Sequence, residues 1–202
     1  MNDNNFNAFI YLNLKNRFIK KKFQMIFSKP IVLVGMMGCG KSPIGKIVAE
    51  KLNWIFLDSD KEIENKMKLS TKEIFDKYGE KFFRNKEYEI FKLFSKKRNI
   101  LISAGGGAFC QKFTYGVIKE YFHSIWLDVN EDILFQRLKK NKNKRPLLKS
   151  LNDKELRIKI KDIMFKRKDC YNKANKRIEL PEQNINESSK KTYLEITTHQ
   201  NQ

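Results

Sequence analysis

The chain has 202 residues, with 41% hydrophobic residues and a formal net charge of +19. That length favours one compact domain able to bury a real core, and no apolar run approaches the ~20 residues that span a bilayer. Two causes fit the charge, a general lysine and asparagine bias or a polyanionic partner. The lysines are spread along the whole chain, and no arginine-rich block with interleaved aromatics appears, so the bias is the better account and nucleic acid and membrane are not expected as partners.

Residues 1–28 are basic and partly amphipathic, without the apolar stretch and small-residue cleavage site of a secretory signal. Asp3 and the scarcity of serine count against a transit peptide, and Met25 is an alternative first residue. The segment is expected to be non-catalytic. "KPIVLVG" then reads as a buried parallel strand closed by glycine. Ile44, Ile47, Val48 and Leu52 recur at helical spacing. "WIFLD" is a second strand and "DKEIENKMK" a short charged helix. Ser70 and Glu73 form a capping-box pattern for a helix that stops near Gly79. A long helix follows, with Phe83, Glu87, Ile90, Phe91 and Phe94 in phase. "NILISAGGG" and "SIWLDV" are the third and fourth strands, and Asn130 is placed to cap "EDILFQRLKK". The polar segment "KNKNKRPLLKSLND" reads as exposed and mobile. A helix over 154–174, a strand "KRIEL" and a helix in "NESSKKTYLEI" complete the chain. Alternating strands and helices predict an α/β sandwich with a mainly parallel sheet. Such sheets bind ligands at the carboxyl ends of their strands. The loop 35–42, Asp58/Asp60 and Gly105–Gly107 therefore share one rim.

Gly35-x-x-x-x-Gly40-Lys41-Ser42 matches the phosphate-binding loop pattern and lies between a strand and a helix, the context it requires. Its backbone N–H groups, from Gly38, Cys39 and Gly40 onward, would face phosphate oxygens. Lys41 would neutralise the terminal phosphates of ATP, and Ser42 would hold Mg²⁺. Pro43 falls in the first helical turn, where a missing N–H is tolerated, but it removes one donor near the phosphates. Asp58 and Asp60 can divide labour between a metal-bound water and an acceptor hydroxyl; the alternative is a helix cap and a surface acid. Arg84 suits a carboxylate or a salt bridge to Glu80 or Glu87. Gly105, Gly106 and Gly107 offer close backbone approach or a flexible turn. Arg145, beside Pro146, can close over phosphate or be one more surface cation. Arg167 is a second carboxylate ligand or an exposed helix residue. Three widely spaced cysteines without a C-x-x-C pair suggest free thiols in a reducing compartment. Cys39, in the loop, is expected to react with alkylating reagents unless ATP protects it.

Together "GMMGCGKSPIG", "FLDSDKEIE", "IFDKYGEKFFRNKE", "ISAGGGAF", "RPLL" and "KRKDCY" resemble the shikimate kinase family, in order and spacing, over about residues 29–196. The resemblance implies a three-layer P-loop fold of the nucleoside monophosphate kinase type, with a mobile lid at about 139–152 and a polar tail at 197–202. It implies transfer of the ATP γ-phosphoryl group to the 3-hydroxyl of shikimate, in chorismate and aromatic amino acid biosynthesis, by a cytoplasmic monomer. It makes Asp60 the base or orienter at the reacting hydroxyl. Arg84 and Arg167 become the clamp on the shikimate carboxylate, with Gly105–Gly107 giving backbone contacts. Lys41 and Arg145 become phosphate ligands with catalytic roles, and Ser42 and Asp58 serve Mg²⁺. Cys39 and Pro43 depart from the family's usual small and hydroxyl residues, and the arginine over adenine is not placed. The rivals are another small-metabolite P-loop kinase such as a gluconate kinase, a non-catalytic relative, and a basic nucleic-acid-binding ATPase.

Overall fold

The computed structural model describes residues 29–142, 148, 150–180 and 184–198. Arg145, Pro146 and the basic extension at 1–28 lie outside the described residues. Five strands form one sheet: β1 (Ile31–Val34), β2 (Ile55–Asp58), β3 (Ile100–Ser103), β4 (His123–Val129) and β5 (Lys176–Leu180). Their order is β2-β3-β1-β4-β5, and every pairing is parallel. β1 is central and wholly buried, which is why "IVLV" is apolar on both faces.

The helices are α1 (Lys41–Leu52), α2 (Ser59–Met67), α3 (Thr71–Phe94), α4 (Lys112–Tyr121), α5 (Glu131–Lys140), α6 (Asp153–Tyr171) and α7 (Ile185–Thr198), with a 3₁₀ turn at Ala108–Cys110. Right-handed crossovers put α1 on one face of the sheet and α2 to α6 on the other. α7 returns to pack on α1, so the sheet lies between two helical layers. Leu33, Leu101 and Ile102 in the sheet, Ile44 and Val48 on α1, and Phe91 and Phe94 on α3 are among its buried core.

Local chemistry sets several boundaries. The Ser70/Glu73 capping box forms at the start of α3. Gly79 interrupts that helix with φ 76°, as the expected stop there required. The Asn130 side chain accepts from Asp132 N–H at the start of α5. The sequence reading missed α4. "KFTYGVIKEY" carries glycine and aromatics of modest helix propensity, and the buried pair Thr114 and Ile118, one turn apart, holds it to the core.

The expectation of three free thiols needs correction. Cys110 and Cys170, 60 residues apart in sequence, are disulfide-bonded with Cα atoms 5.5 Å apart, while Cys39 is free and buried. Spacing along the chain gave no sign of this, because the 3₁₀ turn and the end of α6 meet only in the folded protein.

α1 crosses the sheet closely at Gly45, where an added Cβ would lie 2.6 Å from the Phe56 ring and 3.0 Å from Leu101. Gly45→Ala is expected to destabilise the fold by about 1–3 kcal/mol through overpacking, read as a lower midpoint in urea unfolding.

Candidate active site

The carboxyl ends of β1, β2 and β3 are held level by their register, with Leu33 and Asp58 both paired to Ser103. The loop after β1 turns through three left-handed glycines, Gly35 (φ 136°), Gly38 (φ 82°) and Gly40 (φ 103°). At Gly35 a Cβ would lie 2.7 Å from the Leu127 carbonyl oxygen, so β4 fixes the loop's first turn. Lys41 folds back over the loop. Its Nζ donates to the carbonyls of Gly35 (2.8 Å) and Met36 (2.9 Å) and lies 3.7 Å from Cys39 Sγ. The Cys39 thiol is 1% exposed. Ready alkylation of Cys39 in this conformation of the loop is therefore not expected.

Pro43 is the third residue of α1, and the first intrahelical bond is made by Ile44 N–H to the Gly40 carbonyl at 2.9 Å. No intrahelical bond is lost to the proline.

Asp58 joins the loop to the start of α2. One carboxylate oxygen accepts from Ser42 Oγ at 2.6 Å, and the other accepts the N–H groups of Asp60 (3.2 Å) and Lys61 (3.4 Å) as the cap of α2. Ser42 Oγ is also 3.0 Å from Ser103 Oγ. The cap expected as an alternative for this pair exists, and Asp58 makes it while facing Ser42. A serine hydroxyl and a carboxylate in contact at the start of α1 are hard oxygen donors of the kind that Mg²⁺ takes, alongside water and phosphate. The residues fit that ion.

Asp60 lies behind this pair. Burial, and then the Asp58 charge, raise its pKa above the ordinary carboxylate range, against the opposing pull of Lys41 and Arg84. Gly105 presses against it, and Gly107 presses against Arg84. A Cβ at Gly105 would fall 2.5 Å from Asp60 Oδ1 and 2.7 Å from Glu87 Oε1, and one at Gly107 would fall 2.9 Å from Arg84 Nη2. The Gly106 carbonyl accepts from Arg167 Nη1 at 2.8 Å and from the Tyr171 hydroxyl at 2.5 Å. Asp60, Arg84, Arg167 and Gly105–Gly107 thus form one cluster beside the loop. Arg84 also makes both ion pairs named as its alternative, to Glu80 (2.9 Å) and to Glu87 (3.0 Å).

The shikimate kinase family model matches residues 37–198. The chain belongs to the shikimate kinase family. It is 41% identical over 150 residues to a shikimate kinase from Sulfurihydrogenibium, covering 74% of this chain and 87% of that one. The structure of an Acinetobacter baumannii shikimate kinase in complex with shikimate matches with a TM-score of 0.80 at 30% identity, over 91% of this chain and 99% of that one. A gluconokinase from Sinorhizobium meliloti matches with a TM-score of 0.52 at 15% identity, which shows a common fold alone.

Two residues in this shikimate kinase site escaped the sequence reading as functional. Arg137, on α5, donates to the Cys39 carbonyl at 3.1 Å and buttresses the phosphate loop. Glu87 is 0% exposed, and burial pushes its carboxyl up to about 7 although Arg84 pulls it down. Its signal was visible as a carboxylate in phase with the apolar face of α3. A cleft of about 560 Å³ also opens at the ends of β4 and β5, lined by Met36, Trp126, Asp128, Phe165, Tyr171 and Arg177 among others. Tyr171 stands between it and the Gly106 carbonyl.

Because its folded pKa lies above the ordinary 4.5, Glu87 binds extra proton in the folded state. Its contribution is fully present below pH 4.5 and is lost as pH rises through 7. Relative to Glu87→Gln, the wild type should lose about 2–3 kcal/mol of stability between pH 5 and pH 8, as measured by urea unfolding at the two pH values.

Proposed function

We propose that this chain catalyses phosphoryl transfer from ATP to the 3-hydroxyl of shikimate, giving ADP and shikimate 3-phosphate for chorismate and aromatic amino acid biosynthesis. The observation that carries the site assignment is the approach of Arg84 and Arg167 to Gly105–Gly107, facing Asp60, next to the phosphate loop. Two planar guanidinium groups beside the glycine backbone match a carboxylate-bearing acceptor, and the open-chain gluconate offers a different shape from a ring.

In this reading Arg84 and Arg167 grip the shikimate carboxylate, and the backbone of Gly105–Gly107 lines the ring. Asp60 receives or orients the proton of the attacking hydroxyl. Its raised pKa makes it a better base than an exposed aspartate. Lys41 leaves the Gly35 and Met36 carbonyls to meet the phosphates, assisted by the N–H groups of Gly38, Cys39, Gly40 and Ser42. Pro43 supplies none. Ser42 and Asp58 would hold Mg²⁺, which neutralises charge on the transferring phosphates when bound. Arg145 is assigned, by family resemblance, to close over the phosphates from a lid at about 139–152. The catalytic unit is read as 29–196, with 1–28 and 197–202 outside it.

The protein is read as a cytoplasmic monomer working without nucleic acid or membrane. Lysines dispersed over the whole chain speak against a dedicated nucleic-acid face, and no helix among the described residues is long and apolar enough to cross a membrane.

A coupled ADP-release assay with each acceptor tests the assignment. Turnover is expected with shikimate and not with gluconate; gluconate-dependent turnover would support the rival kinase, and no turnover with either would support a non-catalytic relative. Asp60→Asn should lower kcat by about 10²-fold or more while ATP binding, followed by calorimetry, persists.

A further inference from the structure

We infer that Cys110 and Cys170 form a reversible thiol–disulfide switch that sets how firmly the carboxylate-binding arm of the active site is held. The inference rests on the reading of Arg167 and Gly106 as shikimate contacts.

The two sulfurs join the same two segments that already meet at Gly106. Cys110 ends the 3₁₀ turn three residues after Gly107, and its N–H donates to the Gly107 carbonyl at 3.1 Å. Cys170 lies in the last turn of α6, between Arg167 and Tyr171, the two residues that donate to the Gly106 carbonyl. The disulfide is a covalent parallel to those hydrogen bonds. Arg167 has further N–H groups to offer a substrate carboxylate while Nη1 stays on the Gly106 carbonyl. The disulfide adds a covalent tie between the glycine loop and α6 in the oxidised protein; in the reduced one the hydrogen bonds to Gly106 and packing hold them. Oxidation therefore restrains the end of α6 that carries Arg167 more tightly than reduction does. Small displacements of a substrate-positioning group have large effects on binding and rate. The phosphate loop is on neither crosslinked segment, so ATP affinity should respond little.

Both cysteines are partly exposed, so a small disulfide such as oxidised glutathione can reach them. One cysteine thiolate attacks a glutathione sulfur, forming a mixed disulfide and releasing the first glutathione thiolate. The second cysteine thiolate then attacks the protein-bound sulfur, closing the Cys110–Cys170 bond and releasing the second. The protein loses two electrons and two protons, and the oxidant becomes two glutathione thiols. Disulfides in reducing compartments are typically transient and redox-sensing, which fits a reversible device better than a permanent staple.

The test uses the full chain equilibrated in glutathione buffers of graded ratio. At each ratio, alkylation and peptide mass spectrometry measure the Cys110–Cys170 crosslink, and steady-state kinetics give KM for shikimate and for ATP. The crosslink should form under oxidising buffer. KM for shikimate should be about tenfold lower in the oxidised protein than in the reduced one, with KM for ATP nearly unchanged. Cys110→Ser and Cys170→Ser should show the reduced protein's shikimate KM at every ratio. No crosslink under oxidising buffer would overturn the switch. So would equal shikimate KM in both states, or a redox response that survives in Cys170→Ser. Arg167→Ala in reduced protein separates the two readings: unchanged KM for shikimate there would refute the site assignment, whatever the cysteines do.

Discussion

A carboxylate with no access to water holds this active site together. Glu87 is fully buried on α3. One oxygen pairs with Arg84, and the other has no hydrogen-bond partner among the described residues. A lone buried acceptor is costly, so the surroundings are constrained to tolerate it. The chain after β3 must pass without a side chain at Gly105, where a Cβ would strike Glu87 and Asp60 together. Arg84 must stay close, because removing it would leave the charge uncompensated. Asp60, against the same glycine, has its pKa raised by burial and then by the Asp58 charge.

The phosphate loop and the Asp60 cluster are joined through a short chain of oxygens. Ser42, Asp58 and Ser103 come from three different elements, and the parallel register of β2 with β3 brings them within hydrogen-bonding distance. Asp58 also caps α2, so the helix that carries Asp60 is aimed by the same carboxylate that faces the phosphate loop. A change at Asp58 would thus disturb the phosphate loop, the setting of Asp60 and the start of a helix at once.

Much of this was legible in the sequence because it is local. The phosphate loop is one continuous pattern, the Asp58 cap and the Ser70/Glu73 box are read within four residues, and the Gly79 break follows from one residue's backbone freedom. The Glu87 carboxylate in an apolar phase was visible as a pattern, but its unpaired oxygen was not, because that depends on how Gly105 crosses it. The Cys110–Cys170 bond, the Arg137 contact with the Cys39 carbonyl and the Tyr171 bond to Gly106 join segments about 60 to 100 residues apart. Only the crossover topology sets those meetings. α4 was missed for the opposite reason: its local propensity is weak and its packing supplies the helix.

The break at Gly79 has a mechanical consequence. A Cβ there would touch nothing within 4 Å, so glycine is required here by its backbone conformation and not by crowding. Glu80, the next residue, starts a fresh run of helix on which Glu80, Arg84 and Glu87 are linked through the arginine. The joint therefore works like a fixed elbow. It turns residues 71–78 away from the axis of the charge ladder, and Phe75 on Phe83 and Tyr78 on Phe82 brace it from one side to the other.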